Sequence, residues 1–292
     1  MYHQSTNIDK ILHVLYNKDT VRTNKIEDNS FRQITVIKGL VIIENFKGCV
    51  IMGNRYDDIR ALLFDAGANI ILIESSIKKA RYDASVREVL KPKIKSSLEH
   101  FRSCLEYCAQ DIFEELMPNE YNADRMIYFP YGSDEETFRK RVKKNLTEKF
   151  ISMYPEIYSH IESIQAYKVN DTWLDDLCDR TNTMKHRNLT NQNRADGISI
   201  GDGLIKIDNT STGILQNVEV SGSLINHFIY KDGKVVSDFD FESSEIKIEN
   251  WTEFRFEGTN VCILEFLKKV HRRISDFVIE LYRLLSMKNN LT

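Results

Sequence analysis

The chain has 292 residues, 42% of them apolar and 28% charged, with a formal net charge of −3. That length holds one large domain or two ordinary ones, and the balance supports a packed core rather than wholesale disorder. It excludes a protein that draws in polyanions through a global field, so any nucleic-acid site has to be a local basic patch.

No stretch approaches the roughly 20 apolar residues of a membrane span; the most apolar one, 34–52, is interrupted by Lys38, Glu44, Asn45 and Lys47. Met1-Tyr2-His3-Gln4 lacks the charged-then-apolar pattern of a signal peptide, and the expectation is a non-secreted, cytoplasmic protein with no membrane association. The five cysteines (Cys49, Cys104, Cys108, Cys178, Cys262) are scattered, with no further ligands near Cys104 and Cys108, and read as structural thiols rather than a zinc site. No metal and no cofactor is called for.

In chain order, a short helix is expected at 8–15, followed by a polar link. Residues 31–50 carry Phe31, Ile34, Ile37, Leu40, Phe46 and Val50 at helical spacing, and a helix is favoured there although the β-branched density also suits a strand. Ile59, Leu62, Leu63 and Ala66 predict a helix over 57–74. Arg-Tyr-Asp occurs at 55–57 and again at 81–83, too short to be a repeat. Ile94, Leu98, Phe101, Leu105, Cys108, Ile112 and Leu116 mark a long amphipathic helix, with Pro92 in its first turn or at a kink and Pro118 beyond its end. Residues 126–131 form a short strand or extended link. Ser133-Asp134-Glu135-Glu136 reads as a capping box with serine as the cap. The helix it opens carries Phe138, Val142, Leu146 and Phe150. Pro155 starts another, and a further helix is expected over 171–188.

The texture then changes. Leu204-Ile205-Lys206-Ile207, Val218-Glu219-Val220, Phe228-Ile229-Tyr230, Ile246-Lys247-Ile248 and Phe254-Arg255-Phe256 predict an antiparallel meander of five or six strands. Lys231-Asp232-Gly233-Lys234 fits a tight hairpin turn, and Gly201-Asp202-Gly203 a turn rather than a nucleotide loop. The apolar stripe from Ile263 to Leu285 predicts a closing helix. The fold class is therefore α+β and predominantly helical. Its parts are a mixed or helical segment over 1–80, a helical domain over 81–195 plus 259–292, and a β insertion over 196–258.

One helix stands out chemically. In 171–188, Trp173, Leu174, Leu177, Thr181 and Met184 share one face, while Asp175, Asp179, Asn182 and His186 share the other. Arg180 lies at the margin and Arg187 beside it. Histidine exchanges protons near neutral pH, and arginine is a fixed cation suited to phosphate. Together they supply what cleavage of an RNA backbone needs: a proton shuttle and a charge to stabilise the phosphate. Asn182, one turn before His186, is placed to orient the imidazole or touch the substrate.

Arg180 and His186, with five residues between them, resemble the R-x(4–6)-H motif of HEPN domains, helical modules that include many metal-independent ribonucleases. Asn182-Thr183-Met184-Lys185-His186-Arg187 also resembles an Asn-x-x-Lys-His-Arg signature of a bacterial helical group, the likeness covering about 130–190. Thr181 stands where HEPN nucleases often have a polar Asn, His or Asp. The resemblance implies a HEPN-like helical bundle and catalysis by Arg180 and His186 with Asn182. It also implies assembly as a homodimer, because the two side chains lie about 120° apart on one helix. A toxin or phage-defence role, with RNA as substrate and a partner or antitoxin protein, belongs to the same implication.

Lys185, Arg187 and the run Arg139-Lys140-Arg141-Val142-Lys143-Lys144 are candidate RNA contacts. Lys268-Lys269-Val270-His271-Arg272-Arg273 is a second basic run expected on the solvent side of its helix. The competing reading is a non-catalytic module that binds protein or RNA: Asp176–Arg180 is an ordinary i,i+4 pair, and Lys185-His186-Arg187 complements a helix C-terminus.

Overall fold

The computed structural model describes residues 33–37, 40–44, 55–120, 125–186, 191–236, 240–241 and 246–289. The helix expected at 8–15 and residue Cys49 lie outside them. In chain order the described residues form β1 (Gln33–Ile37), β2 (Leu40–Glu44), α1 (Tyr56–Ala80), α2 (Lys91–Leu116), α3 (Glu135–Leu146), α4 (Phe150–Met153), α5 (Pro155–Glu162), α6 (Ala166–Val169) and α7 (Trp173–His186). Then follow β3 (Gln192–Ile200), β4 (Ile205–Asp208), β5 (Gly213–Val220), β6 (Ser223–Lys231), β7 (Lys234–Val235), β8 (Asp240–Phe241), β9 (Ile248–Phe256) and α8 (Ile263–Asn289). The fold is α+β and mainly helical, with the β segment ahead of the closing helix. No described helix is long and apolar enough to cross a membrane.

Two expectations are corrected. Within the stretch 31–50, where a helix is favoured, the described residues 33–37 and 40–44 form instead the antiparallel pair β1–β2, with Gln33 opposite Glu44 and Ile37 opposite Leu40. Ile34, Thr35, Val36 and Ile37, then Val41, Ile42 and Ile43, are β-branched, and their restricted χ1 suits a pleated strand better than a helix. The α3 cap is also different. Asp134, not Ser133, is the N-cap, in extended geometry, and its carboxylate accepts the Thr137 N–H at 2.8 Å and the Thr137 hydroxyl at 2.8 Å. Thr137, three residues on, supplies both donors and stands where a capping box would place the glutamate that accepts the cap's own N–H.

The chain divides into two compact units. The first comprises 1–68, 98–180 and 268–292; the second 69–97 and 181–267. In the first, Ile59, Leu63, Phe101, Leu105, Ile112, Phe113, Phe129, Phe138, Trp173 and Phe277 are buried. The Phe129 and Phe277 rings meet edge-on at 5.5 Å, and His160 stacks on Phe277 at 4.6 Å. Cys104 and Cys108 are fully buried on α2, as the structural reading requires. An ion network closes one end: the Arg55 guanidinium binds Asp111 at 2.7 Å and Glu114 at 2.8 Å, and the Tyr282 hydroxyl donates to Asp111 at 2.5 Å.

In the second unit one sheet has the order β4-β3-β9, and another β5-β6-β7 with β8 also on β6, all antiparallel. Ile198, Ile200 and Ile207 of the first sheet join Val220, Ile225, Phe228 and Tyr230 of the second in one core cluster. Gly197 allows the close approach inside it, because a Cβ there would stand 2.1 Å from the Ile207 carbonyl oxygen and 2.6 Å from the Trp251 ring. Asp232 and Gly233 both have positive φ (51° and 74°), as the tight hairpin between β6 and β7 demands. The turn at 201–204 joins β3 to β4, as expected.

Candidate functional site

Helix α7 starts where Asp171 accepts the Trp173 N–H at 3.1 Å and Thr172 donates to Asp176 at 2.8 Å. Asp175 and Asp176 in its first turn complement the positive end of the helix. Its apolar stripe is where the spacing placed it: Trp173, Leu174, Leu177, Thr181 and Met184 are all buried, joined by Cys178. On the other side Asp179 and Asn182 are exposed and Asp175 is half-buried.

Arg180 lies at the margin of the buried face and is half-buried. Burial lowers its guanidinium from the ordinary value, while Asp176 and Asp179 oppose that shift. His186 closes α7 and Lys185 precedes it, but their side chains lie outside the described residues, as does the whole of Arg187. Along one helix, six residues put His186 about 9 Å and about 120° from Arg180.

The basic run on α3 is largely turned to solvent, and most of its charges are locally paired. Arg139 binds Glu135 at 2.9 Å, Lys140 binds Glu136 at 2.7 Å, and Lys143 binds Glu148 at 2.6 Å. Lys144 is exposed with no ion pair among the described residues. Arg141 turns inward, donating to the Tyr131 carbonyl at 2.7 Å and lying 4.0 Å over the Tyr131 ring. The run on α8 does not sit wholly on a solvent side: Val270 and His271 are buried, Lys269 pairs with Asp171 at 3.1 Å, and Arg272 is exposed. Six consecutive helical residues sweep past every face, so such a run cannot all point outward.

Chain comparison with known families, characterised proteins and solved structures finds no match.

Two features near α7 were not visible in the sequence. An open depression of about 690 Å³ is lined by Ser133, Tyr167, Asn170, Asp171, Thr172 and Asp175. Burial raises the Asp175 carboxyl, reinforced by Asp179 and opposed by Arg141. The Tyr167 hydroxyl donates to Glu162 at 3.0 Å. This depression carries more acid than base, and it disfavours a phosphate at its floor.

Behind α7 stands Arg102. It donates to the Cys178 sulfur, pairs with Glu106, and lies 5.2 Å over the face of the same Tyr131 ring that Arg141 covers. Glu106 in turn accepts the Phe129 N–H at 2.6 Å. Burial pushes the Cys178 thiol up to about 12, the arginine only partly offsetting it, so this cysteine is a neutral packing group. Arg102 and Cys178 are 76 positions apart, and only the tertiary fold brings them together. Among the described residues no group of three or more histidine, cysteine or carboxylate side chains has metal-binding geometry.

Proposed function

We propose that the protein is a HEPN-like endoribonuclease that works without a metal ion, with Arg180 and His186 as the reacting pair. The observation that carries this reading is the placement of Arg180. It is held half out of solvent at the edge of a buried helix face, with Asn182 exposed just beyond it. A partly desolvated guanidinium interacts with a phosphate more strongly than one in bulk water. In this reading His186 takes the proton of a ribose 2′-hydroxyl as that oxygen attacks the adjacent phosphorus. The bond from phosphorus to the 5′-oxygen breaks, and a proton returns to that leaving oxygen. The products are a 2′,3′-cyclic phosphate and a 5′-hydroxyl. Arg180 neutralises the charge gathering on the phosphate oxygens. Asn182, Lys185 and Arg187 assist in binding.

Because Arg180 and His186 diverge on their helix, the reading calls for a homodimer whose two motifs face one another. It places the protein in the cytoplasm as a toxin or phage-defence effector, held in check by a partner protein. The test is the chemistry of the product ends. Cyclic phosphate ends formed by the wild-type chain and absent with His186→Ala support the reading; 3′-hydroxyl ends contradict it.

A second reading is favoured by one observation, the pairing of Arg139, Lys140 and Lys143 with acids beside an acidic depression. On it the protein is a non-catalytic module that binds protein or RNA. A folded chain that never cleaves RNA, whether or not it binds it, is what that reading expects.

A further inference from the structure

A third cationic segment lies outside the two runs described above. Residues 78–95 hold Lys78, Lys79, Arg81, Arg87, Lys91, Lys93 and Lys95 against only two acids, Asp83 and Glu88. They span the end of α1, the connection to α2 and its first turn, all within the second unit. Lys78 pairs with Glu74 at 3.1 Å and Lys91 with Glu88 at 2.6 Å. Lys79, Arg81, Arg87 and Lys93 are exposed and form no ion pair among the described residues.

Within this segment stands Tyr82, 86% exposed, the most exposed of the large hydrophobic side chains among the described residues. The contrast with the other Arg-Tyr-Asp tripeptide is informative. At 55–57 the arginine is bound to Asp111 and Glu114 and the tyrosine is 6% exposed against Tyr282, a packing role. At 81–83 the same residues serve no packing role. The ring is left in water with cations on both sides along the chain.

The segment carrying Tyr82 is held rigidly. Arg194 on β3, with 6% of its side chain exposed, donates to the carbonyls of Ala80 at 3.0 Å, Asp83 at 2.6 Å and Val86 at 2.8 Å. Gln192 binds Val89 twice, accepting its N–H at 2.9 Å and donating to its carbonyl at 2.8 Å. Asp83 accepts the Ser85 N–H at 2.9 Å and the Ser85 hydroxyl at 2.6 Å, closing the turn after the tyrosine. An exposed aromatic ring on a connection fixed at three points is a preformed platform: little ordering entropy is lost when a flat partner stacks on it.

We propose that this surface binds single-stranded nucleic acid, one base stacking on Tyr82 while Lys79, Arg81, Arg87 and Lys93 contact the phosphates on either side. Every unpaired base offers a π-face to an aromatic side chain, and a neighbouring guanidinium strengthens the contact. A duplex keeps its bases stacked on each other and offers no such face. A lipid surface is less well matched, because Arg81, Asp83, Ala84 and Ser85, which flank the ring, supply no second large apolar side chain to insert with it. The proposal does not depend on the nuclease reading; the platform would capture a strand whether or not Arg180 and His186 cut it.

The experiment measures fluorescence anisotropy of a short fluorescein-labelled single-stranded RNA titrated with the full chain carrying His186→Ala, so that cleavage does not intervene. In that background Tyr82→Ala is expected to weaken binding about fivefold or more, while Tyr82→Phe keeps it. Replacing Lys79, Arg81, Arg87 and Lys93 together with glutamine is expected to reduce the slope of log K against log salt by about three. Circular dichroism confirms that each variant is folded. Absence of RNA binding, unchanged affinity with Tyr82→Ala, an unchanged salt slope, or tighter binding to phosphatidylserine vesicles than to RNA would each overturn the proposal. Absence of RNA cleavage by the chain without His186→Ala, with binding intact, would sink the nuclease reading alone.

Discussion

Arg194 and Asp196 stand two residues apart on β3, and the guanidinium Nε reaches both carboxylate oxygens, at 3.1 and 2.8 Å. Residues i and i+2 of a strand point to the same face, so the pair needs no bend in the chain. Asp196 also accepts the Thr252 hydroxyl at 2.6 Å from β9 and the Arg194 Nη2–H at 2.9 Å, and Arg194 spends its other donors on the Ala80, Asp83 and Val86 carbonyls. One buried cation thus ties strand, neighbouring strand and connection together.

Arg194→Ala leaves three carbonyls without their donor and Asp196 with only the Thr252 hydroxyl, at a part-buried place where 33% of the Asp196 side chain is exposed. Loss of hydrogen bonds to a charged group at such a place costs about 1.5–3 kcal/mol. Urea unfolding is expected to show that loss. Thr252→Val, which removes one hydrogen bond to a charged group, is expected to cost about 1.5–3 kcal/mol.

The capping correction has its own test. Asp134→Ala should destabilise by about 1 kcal/mol, because the Thr137 N–H loses its acceptor. Ser133→Ala should change stability by less than about 0.5 kcal/mol. Equal costs at the two positions, read by thermal or urea unfolding, would restore serine as the cap.

His160 and His271 make stability depend on pH. Burial lowers both imidazoles below the usual 6.5, while a hydrogen bond from Nε2 to the Phe277 carbonyl at 2.9 Å and to the Leu63 carbonyl at 3.0 Å opposes the shift. The unfolded chain then binds more protons than the folded one below the unfolded value. Stability is full above about pH 6.5 and falls as pH drops through the lowered folded values. Urea midpoints are expected to decline from about pH 6.5 downward, and to decline less with His160→Gln and His271→Gln combined.

Trp173 places α7. It is 1% exposed, and Trp173→Ala is expected to cost about 3–5 kcal/mol through the cavity it leaves. If α7 is the working helix, the same change lowers any RNA cleavage along with stability. Retained cleavage at full rate in a folded Trp173→Ala chain would point away from this helix.

How much of this was legible in the sequence follows from the range of each interaction. The stripes on α2 and α8, and the buried face Trp173, Leu174, Leu177, Thr181 and Met184 on α7, repeat every three or four residues and are readable from spacing alone. Residues 33–37 and 40–44 carry two competing signals, because Phe31, Ile34, Ile37 and Leu40 also fit a helical period, while the β-branched run that decides for strands has no period of its own. At the candidate site, the exposure of Asp179 and Asn182 was legible. The guanidinium stack of Arg102 and Arg141 on Tyr131, and the depression beside Asp175, were not, because their parts lie on different elements. The cations of 78–95 were present in the sequence throughout, but their weight depended on learning that Tyr82 stays in water.

If Arg180 and His186 are the reacting pair proposed above, RNA cleavage depends on both side chains and on no metal ion. The decisive experiment is incubation of the purified chain with a mixed RNA pool in EDTA, beside Arg180→Ala and His186→Ala. Cleavage is expected with the wild type and is expected to be lost in both variants, with each variant folded. Undiminished cleavage by either variant, or none by the wild type, would contradict that reading.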